Sequence, residues 1–403
     1  MTAAAPPLMS VRRSILVLGL LEAFGPLSMD LYLPQLPRLA ANLHTTDALA
    51  QATMSVCMVG LGLGQLVAGP LSDRFGRRRP LLVGVALFTV FSLACVFAPS
   101  VEVLLVARLL QGLAGSAGLV VTLAVARDLY SGAELSRMLS LLALVSASAP
   151  IVAPVAGGAL ALVLDWRGIF AVLTAIGAGL WLLAFTGLPE TLPPASRHAG
   201  GMRVVGAHLR ALARDPVYVL VVAAAAAGGT AFFAYLSMSS FVLQDGFGLS
   251  PQAFSLFFAA NALANLVGAQ VSRGLVLRLG PARLYLVGQL VTAAAALLLL
   301  AAVVLGWGAP GVLPALAAFL FASGLGGPNG TTLALGGHAV RAGTAAAVLG
   351  TVTFTVGPLI GPLAALGGTT THATAVTIAG ATGVAVVLAM LAALVMRRVA
   401  ARA

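Results

Sequence analysis

Long apolar runs alternate with short polar segments along the whole chain. The runs are about 20 residues long, the length that an α-helix needs to cross the hydrocarbon core of a bilayer. Lipid offers a backbone no hydrogen bonds, so each run is predicted to be helical. The pattern predicts twelve spans, which begin near Ser14, Ala48, Pro80, Glu102, Ser136, Gly168, Pro216, Gln252, Ala282, Pro310, Gly343 and Ala373.

The longest polar interruption separates six predicted spans from the other six. Such a division is typical of a transporter built from two repeated halves. We interpret the linker's arginines, Arg203, Arg210 and Arg214, as a solvated run without chemistry, with a surface helix on anionic lipid as the alternative. The predicted parts are an N-terminal tail at 1–13, a six-helix bundle at 14–188, a central linker at 189–215, a second six-helix bundle at 216–396 and a tail at 397–403.

Composition places the chain outside the range of soluble globular proteins. Hydrophobic residues make up 60% of its 403 residues, charged residues only 8%, and the mean hydropathy is +1.06. A net charge of +11 is compatible with nucleic-acid binding only if the basic residues form one domain, whereas here they punctuate the apolar runs. Cys57 and Cys95 lie inside apolar runs without metal-ligand spacing. We therefore predict a polytopic membrane protein with no metal site, no cofactor and no nucleic-acid partner.

Arginines are concentrated in alternate loops. The opposite loops hold only Arg38 and Arg167 as basic residues. Because positively charged loops are retained in the cytoplasm during insertion, this bias predicts that both termini are cytoplasmic. The first apolar run contains Glu22, Pro26 and Asp30 and has no cleavable-signal pattern, so we expect it to be retained. The arginine-bearing segments are 74–79, 127–137, 197–214, 273–283, position 341 and 397–402.

Three ionisable residues, Glu22, Asp30 and Arg108, lie inside the apolar runs. A charged side chain at mid-bilayer costs about 2.5–3.5 kcal/mol on insertion scales, so it generally faces a cavity or another charge. On a straight helix, eight residues correspond to about 12 Å of rise and about 80° of rotation. We therefore expect Glu22 and Asp30 to face one cavity at different depths, on a shared path for protons and substrate.

Two motifs carry a resemblance to a known family. The turn Gly69–Arg79, which follows the second predicted span, resembles motif A of the major facilitator superfamily. Arg108–Gly112, in the fourth span, resembles its motif B. Segments similar to the Bcr/CflA drug-resistance subfamily occur at 25–34, 127–130, 165–167 and 190–193. The chain is thus identified as a member of the branch of twelve-helix drug/proton antiporters, which implies an all-α membrane protein with the major facilitator fold.

The resemblance implies roles for two further sets of residues. In motif A, it implies an inside gate made by Gly69, Asp73, Arg74, Gly76, Arg77 and the more distant Asp128, with ordinary loop solvation as the alternative. In the fifth span, residues 149–158 are similar to the antiporter motif C through Pro150, Pro154, Gly157 and Gly158, although Ala153 replaces the usual glycine. A purely structural kink with close helix packing is the alternative there.

The resemblance also gives the ionisable residues their expected functions. Asp30 lies in the subfamily motif, and an acid at the position of Glu22 occurs in some multidrug and phenicol exporters. Both acids are expected to couple protons to transport. Arg108 is expected to tune a nearby carboxyl group and to position a neighbouring helix through its backbone carbonyls. Candidate substrate contacts are Tyr32, Phe232, Phe233, Tyr235 and Asn261.

The sequence therefore predicts a proton-coupled efflux transporter, not an enzyme. Its expected partners are an amphipathic drug or antibiotic, phenicol-like or bicyclomycin-like, together with protons and the lipid bilayer. Its expected setting is the bacterial cytoplasmic membrane, as a multi-pass monomer. Two alternatives remain open, which are an exporter of an endogenous metabolite or sugar and a transport-inactive membrane sensor.

Overall fold

The computed structural model describes residues 11–194, 202–338, 341–365 and 371–400. Nearly all of these residues are helical, and none of them is in a β-strand. The two predicted tails and the predicted linker fall partly outside the described ranges. Grouping by contacts gives two compact units, one made of Met1–Tyr32 with Val56–Gly200 and the other of Leu33–Ser55 with Gly201–Ala403. The domain limits drawn from the sequence stay a prediction.

The first unit is built from helices joined by short turns, and the long helix α3 contributes only its second part. Short turns between long apolar helices force neighbours in sequence to run antiparallel. The helices are α1 (Val11–Asp30), α3 (Asp47–Phe75), α4 (Arg78–Val96), α5 (Val101–Leu129), α6 (Gly132–Leu160) and α7 (Trp166–Gly187).

The second unit begins with a 3₁₀ turn and a short helix, takes in the start of α3, and continues from residue 202. The sequence pattern did not predict the short helix α2 (Leu36–Asn42) or the π-helical turn at Val242–Gly246, and it gave a surface helix in the linker, where α8 (Met202–Ala213) lies, only as the alternative. Its helices are α2 (Leu36–Asn42), α8 (Met202–Ala213), α9 (Pro216–Phe241), α10 (Pro251–Leu279), α11 (Pro281–Val304), α12 (Gly308–Gly336), α13 (Ala342–Ala365) and α14 (Thr371–Ala400).

The predicted spans correspond to helices of the structure. Each of the twelve predicted starts lies within four residues of the first residue of a helix. In the described ranges, ten helices are long and apolar enough to cross a bilayer, and a bent pair at 16–25 and 27–42 makes an eleventh span. The remaining predicted span corresponds to α13, in which Thr344–Leu359 is a shorter apolar helix.

The packing pattern of the first unit recurs in the second. In the first, α1 packs on α6, α4 on α5, and α4 on α7; in the second, α9 packs on α13, α11 on α12, and α11 on α14. Taken in span order, these pairs occupy the same places in each half, as expected for a structural repeat.

Glycines permit the closest helix crossings in both units. A Cβ atom at Gly112 of α5 would overlap the Cys57 carbonyl oxygen of α3, and one at Gly324 of α12 would overlap the Asn265 carbonyl oxygen of α10. Small residues let backbones approach in this way within membranes. The glycines at these crossings therefore serve close helix packing.

Candidate functional site

Asp30 is the last residue of α1, directly before the chain turns towards α2. The residue is 5% exposed. Within the described ranges, no hydrogen bond and no ion pair reaches its carboxylate. Asp30 is therefore a buried carboxyl group without a fixed partner, at the end of a membrane-spanning helix.

Glu22 lies two turns earlier on α1 and contacts α6. Its Oε1 atom accepts a hydrogen bond of 3.1 Å from the Ser146 hydroxyl. Its Oε2 atom is buried and has no hydrogen-bond partner among the described residues. One of the two carboxyl oxygens is thus buried without a partner in the described part of the chain.

The helix that carries both acids is bent. Residues 16–25 and 27–42 meet at an angle of 42°. Pro26 has no N–H to donate to the Glu22 carbonyl, and a proline in a helix interior commonly produces such a kink. The helix between Glu22 and Asp30 is therefore not straight, and that the two acids face one cavity stays a prediction.

Arg108 of α5 is completely buried and contacts the kinked part of α1. Its Nη1 atom donates to the Ser28 carbonyl oxygen at 3.3 Å. The guanidinium carbon lies 4.7 Å from the ring centroid of Tyr32 and 5.5 Å from that of Phe170. These contacts fit a buried cation that is stabilised by carbonyl dipoles and aromatic faces. Among the described residues, Arg108 forms no ion pair with Asp30.

A hydrogen-bond chain that the sequence did not reveal extends from Arg108 to α4. Nη1 of Arg108 also donates to Oε1 of Gln111, whose Nε2 donates to the Ser92 hydroxyl at 2.7 Å. The Ser92 hydroxyl donates to the Phe88 carbonyl at 2.8 Å. Gln111 belongs to the motif B segment, which is the feature of the sequence that could have indicated this hydrogen-bond chain. The chain fixes the orientation of the Arg108 side chain.

Arg77, in the turn between α3 and α4, is the centre of a second cluster. Its Nε donates to Asp128 Oδ2 at 2.9 Å, and its Nη1 donates to the Ser72 hydroxyl at 2.9 Å and to Asp73 Oδ1. We call Arg77 with Ser72, Asp73 and Asp128 the Arg77 cluster. Burial lowers the pKa of Arg77, but the hydrogen bonds and charges of Asp128 and Asp73 outweigh it and raise the pKa above its ordinary value. The cation is therefore permanent.

The segment after α7 joins the Arg77 cluster, although the sequence analysis gave it no chemistry. Thr191 Oγ1 donates to Asp128 Oδ2 at 2.9 Å. The Glu190 carboxylate accepts from the backbone N–H groups of Arg77 at 2.8 Å and Arg78 at 3.3 Å. It thereby caps the N-terminus of α4, where a negative charge is stabilised by the helix dipole. The resemblance of segment 190–193 to the Bcr/CflA subfamily is the feature of the sequence that could have indicated this contact.

The remaining motif A residues differ in how far they engage the cluster. Gly76 has φ of 90°, a left-handed conformation that favours glycine, so it permits the tight turn between α3 and α4. Arg74 is exposed, and its guanidinium lies over the Phe75 ring at 5.1 Å. At Gly69, a Cβ atom would meet Val120 at an ordinary 3.7 Å. Gly76 and Arg77 thus shape the cluster, whereas Arg74 and Gly69 lie at its margin.

The motif C segment lies within α6 and approaches the end of α1. Pro150 and Pro154 are interior residues of this helix, and Gly158 follows Gly157 in its last turn. A Cβ atom at Gly157 would overlap the Leu31 carbonyl oxygen. The close approach of the two helices therefore occurs one residue after Asp30. Ala153, the departure from the motif, is fully buried.

Most of the candidate substrate contacts are buried against other protein groups. Tyr32 lies between Arg108 and Phe170, and Phe233 packs near Phe354 with a ring separation of 6.1 Å. The ring of Tyr235 stacks on Phe258 at 5.5 Å, and its hydroxyl accepts a hydrogen bond of 3.0 Å from Asn261. Of the five candidates, Phe232 alone is half-buried.

No group of three or more potential metal ligands occurs in the described part of the chain. Both cysteines are buried and unbonded to each other. Glu22, Asp30 and Arg108 are the charged residues that the described structure places in the interior of the first unit's apolar runs.

Comparison with known proteins identifies the family. Residues 18–362 match the model of the Major Facilitator Superfamily. The chain is 37% identical over 362 residues, with 88% and 89% of the two chains covered, to the Uncharacterized MFS-type transporter YdgK of Bacillus subtilis (strain 168). It is 28% identical to the Bicyclomycin resistance protein homolog of Haemophilus influenzae (strain ATCC 51907 / DSM 11121 / KW20 / Rd), with 87% and 88% covered. It is 35% identical to the Chloramphenicol resistance protein of Pseudomonas aeruginosa, with 65% and 61% covered.

A solved structure agrees on the fold. The crystal structure of a D-xylose-proton symporter matches with a TM-score of 0.76 at 16% identity, with 96% of this chain and 97% of that chain covered. The predicted all-α membrane fold of the major facilitator type is therefore confirmed. The chain belongs to the major facilitator superfamily and is a multi-pass membrane transporter for a small molecule, not an enzyme.

Proposed function

We propose that this transporter is a proton-coupled antiporter of the Bcr/CflA type that exports amphipathic drugs or antibiotics by alternating access. It acts as a monomer in the bacterial cytoplasmic membrane, with both termini in the cytoplasm. Its relatives named for bicyclomycin and chloramphenicol resistance support the substrate class. The arginine bias of its loops supports the orientation.

The two acids on α1 carry the proposal. Asp30 is buried without a partner among the described residues, and Glu22 keeps one buried oxygen unpaired there. An ionised carboxylate in such a place is costly unless a cation or a hydrogen-bond donor satisfies it. A proton or a substrate that carries a donor group relieves this cost. The same carboxylate can therefore be occupied by either of them in turn.

Alternating access turns this competition into export. When the site is open to the outside, Asp30 and Glu22 take up protons and lose affinity for the drug, which leaves. When the site opens inward, the protons leave and the carboxylates accept another drug molecule. A membrane potential supplies about 2.3 kcal/mol per elementary charge per 100 mV, which is enough for concentrative export if one net charge moves inward per cycle.

Arg108 acts in this scheme as a positioning residue. A guanidinium group keeps its charge at physiological pH, so it cannot carry the transported proton. Its hydrogen bond to the Ser28 carbonyl lies two residues before Asp30 and stabilises the kinked end of α1. Gly157 and the two prolines of α6 let that helix approach the same place. Together they set the position of the Asp30 carboxyl group.

The Arg77 cluster is the proposed inside gate. It connects the ends of α3 and α5, and Thr191 and Glu190 attach the segment after α7 to it. Several charge-assisted hydrogen bonds on one guanidinium make such a contact strong but breakable as a unit. Gate opening is proposed to exchange these bonds for water. The candidate substrate contacts remain Tyr32, Phe232, Phe233, Tyr235 and Asn261, exposed in another state of the cycle.

Drug accumulation in an efflux-deficient bacterial host tests the proposal. We would express the protein, load cells with a compound panel that includes chloramphenicol and bicyclomycin, and measure intracellular levels before and after a protonophore. We expect lower accumulation of at least one compound and loss of that difference when the proton gradient collapses. Asp30→Asn should accumulate drug as empty cells do, while Glu134→Gln, at an exposed acid of α6, should behave as wild type.

The outcomes separate the proposal from its alternatives. Gradient-sensitive export of a metabolite or sugar, with no effect on any drug, would show that the substrate class is wrong and that the proton-coupled mechanism is right. An absence of gradient-sensitive export for every compound tested would favour a membrane sensor. Export by Asp30→Asn at the wild-type level would remove Asp30 from the coupling.

A further inference from the structure

An apolar crevice opens at the junction of α8, α9 and α13 in the second unit. Its volume is about 450 Å³, within the range of about 300–1,000 Å³ that is typical of small-molecule sites. Two of the wall residues, Leu209 and Val219, remain 43% exposed, so the crevice is open to the surroundings. The wall includes Leu209 and Leu212 of α8, Val219 and Val222 of α9, and Val348 and Val352 of α13.

The polar groups beside this wall are already engaged. The Tyr218 hydroxyl donates to the Ala345 carbonyl at 2.8 Å. Asp215 accepts from the backbone of Val217 at 2.9 Å, and its other oxygen lies 3.1 Å from His338. Nothing in the wall is left to orient a polar small molecule. The occupant that fits is a hydrocarbon chain.

The helix α8 adds positive charge at the mouth of the crevice. Leu209 and Leu212 of α8 line the crevice, while Arg210 and the following Arg214 are exposed. Arg210 lies in the last turn of α8, and Arg214 is the first residue after the helix. Neither has an ion-pair partner among the described residues. The helix α8 contains no acid, and Asp215, which follows Arg214, instead accepts from the first N–H groups of α9 and contacts His338.

We propose that the crevice binds an acyl chain of an anionic phospholipid, whose phosphate pairs with Arg210 and Arg214. The lipid belongs to the cytoplasmic leaflet, and this assignment depends on the membrane orientation given with the proposed function. Anionic headgroups of that leaflet attract basic amphipathic helices, and apolar burial adds to the attraction. The solvated-run interpretation of these arginines is replaced by a lipid site, and the lipid holds α8 against α9 and α13.

Native mass spectrometry of the purified full-length transporter tests the site without any transport assay. Dioleoyl phosphatidylglycerol and dioleoyl phosphatidylcholine would be titrated separately, with glycerol 1-phosphate as a headgroup that lacks chains. We expect at least fivefold tighter binding of the anionic lipid and no binding of glycerol 1-phosphate. The double variant Arg210→Gln, Arg214→Gln should reduce phosphatidylglycerol binding to the phosphatidylcholine level. The double variant Arg273→Gln, Arg278→Gln, at exposed positions near the end of α10, is the charge-matched control and should bind as wild type.

Changes in the crevice wall test the chain component. Ala223→Phe fills the crevice, and Leu209→Gln places an amide in its wall at a partly exposed position that tolerates polarity. Each should lower phosphatidylglycerol binding by at least fivefold at an unchanged unfolding midpoint. Equal binding of the two lipids by wild type, or full binding by Leu209→Gln, would overturn the proposal. Loss of drug export would not affect this result, so the two proposals fail independently.

Discussion

The helix pairs α1–α6 and α9–α13 occupy the same place in the two units but carry different chemistry. Both pairs approach closely at a glycine: Gly157 lies against the Leu31 carbonyl, and a Cβ atom at Gly357 would lie 2.7 Å from Phe233. The first pair contains Glu22, Asp30 and the Ser146 hydrogen bond. The second pair contains no acidic or basic residue within either helix. Of these two repeated helix pairs, only α1–α6 thus carries carboxyl groups within its helices.

This difference indicates a division of labour within one repeated fold. The backbone geometry of the repeat does not require charge, because α9 and α13 pack without it. The acids on α1 are therefore not explained by folding, since an acid inside a span is costly to insert. The aromatic side chains of α9, with Phe354 of α13, supply apolar packing in the other unit. We expect export to depend on the acids of α1 and not on the uncharged α9–α13 pair.

After Asp30→Asn, loss of the Glu22 carboxyl group should have the largest effect on export. Glu22→Gln keeps the hydrogen bond from Ser146, because the amide oxygen can still accept it, but the side chain can no longer exchange a proton. We expect gradient-driven export to fall at least tenfold, measured as initial efflux rate from preloaded cells. Thr230→Val, which removes a hydroxyl from α9 that donates to the Ala226 carbonyl of the same helix, should retain at least half of the wild-type rate. A larger loss in Thr230→Val than in Glu22→Gln would reverse the proposed asymmetry.

The next effect is on the free energy of unfolding and tests the close helix approach that both pairs share. Gly157→Ala drives a methyl group into the Leu31 carbonyl, so the helices must separate. Overpacking of this kind costs about 1–3 kcal/mol, and we expect the cost to lie at the upper end. Gly357→Ala should cost less, because its Cβ atom would meet the movable Phe233 ring at 2.7 Å and backbone only at 2.9 Å, at Gly229, whereas the Cβ atom at position 157 would overlap the Leu31 carbonyl oxygen. The measurement is the free energy of unfolding in detergent.

Gly179→Ala in α7 is the matched control for both glycine variants, because a Cβ atom there has no neighbour within 4 Å. It should be neutral or slightly stabilising, as a glycine in a helix interior costs about 0.5–1 kcal/mol relative to alanine. If Gly157→Ala were as stable as this control, the close approach beside Asp30 would not matter for folding. The same preparations give export rates, which separate loss of fold from loss of coupling.

The sequence was sufficient for the spans and insufficient for the contacts between them. Each apolar run of about 20 residues predicts a helix because lipid leaves the backbone no alternative. The pattern does not tell which side of an apolar helix meets protein, so Tyr32 and Phe233 were proposed for a cavity and lie in packed surroundings. The cap of α4 by Glu190 joins residues 113 positions apart, which no local pattern encodes. Pro26 is visible in the sequence as a cause of the bend in α1, but the separation of Glu22 and Asp30 expected from the sequence assumes a straight helix.

The proposed gate gives a smaller, kinetic effect. Arg77→Lys keeps one positive charge but cannot reach Asp128, Asp73 and Ser72 with a planar fork of donors. We expect a several-fold change in export rate with little change in apparent drug affinity, because the conformational balance shifts while the binding site is untouched. Arg74→Lys, at an exposed position over Phe75, is the control and should export as wild type. Identical kinetics for Arg77→Lys and wild type would count against a gate at this cluster.

The smallest effect concerns a side-chain contact at a helix end of the second unit. Nε2 of His338 lies 3.1 Å from Asp215, and the Asp215 side chain is partly exposed. Exposed contacts of this kind contribute about 0–1 kcal/mol, so His338→Gln should lower the free energy of unfolding in detergent by no more than about 1 kcal/mol. Arg77→Lys should lower it by more, because Arg77 is buried and donates to three side chains. A loss in His338→Gln as large as that in Arg77→Lys would mean that polar contacts at this end of the second unit matter as much as the Arg77 cluster, although α9 and α13 themselves pack without charge.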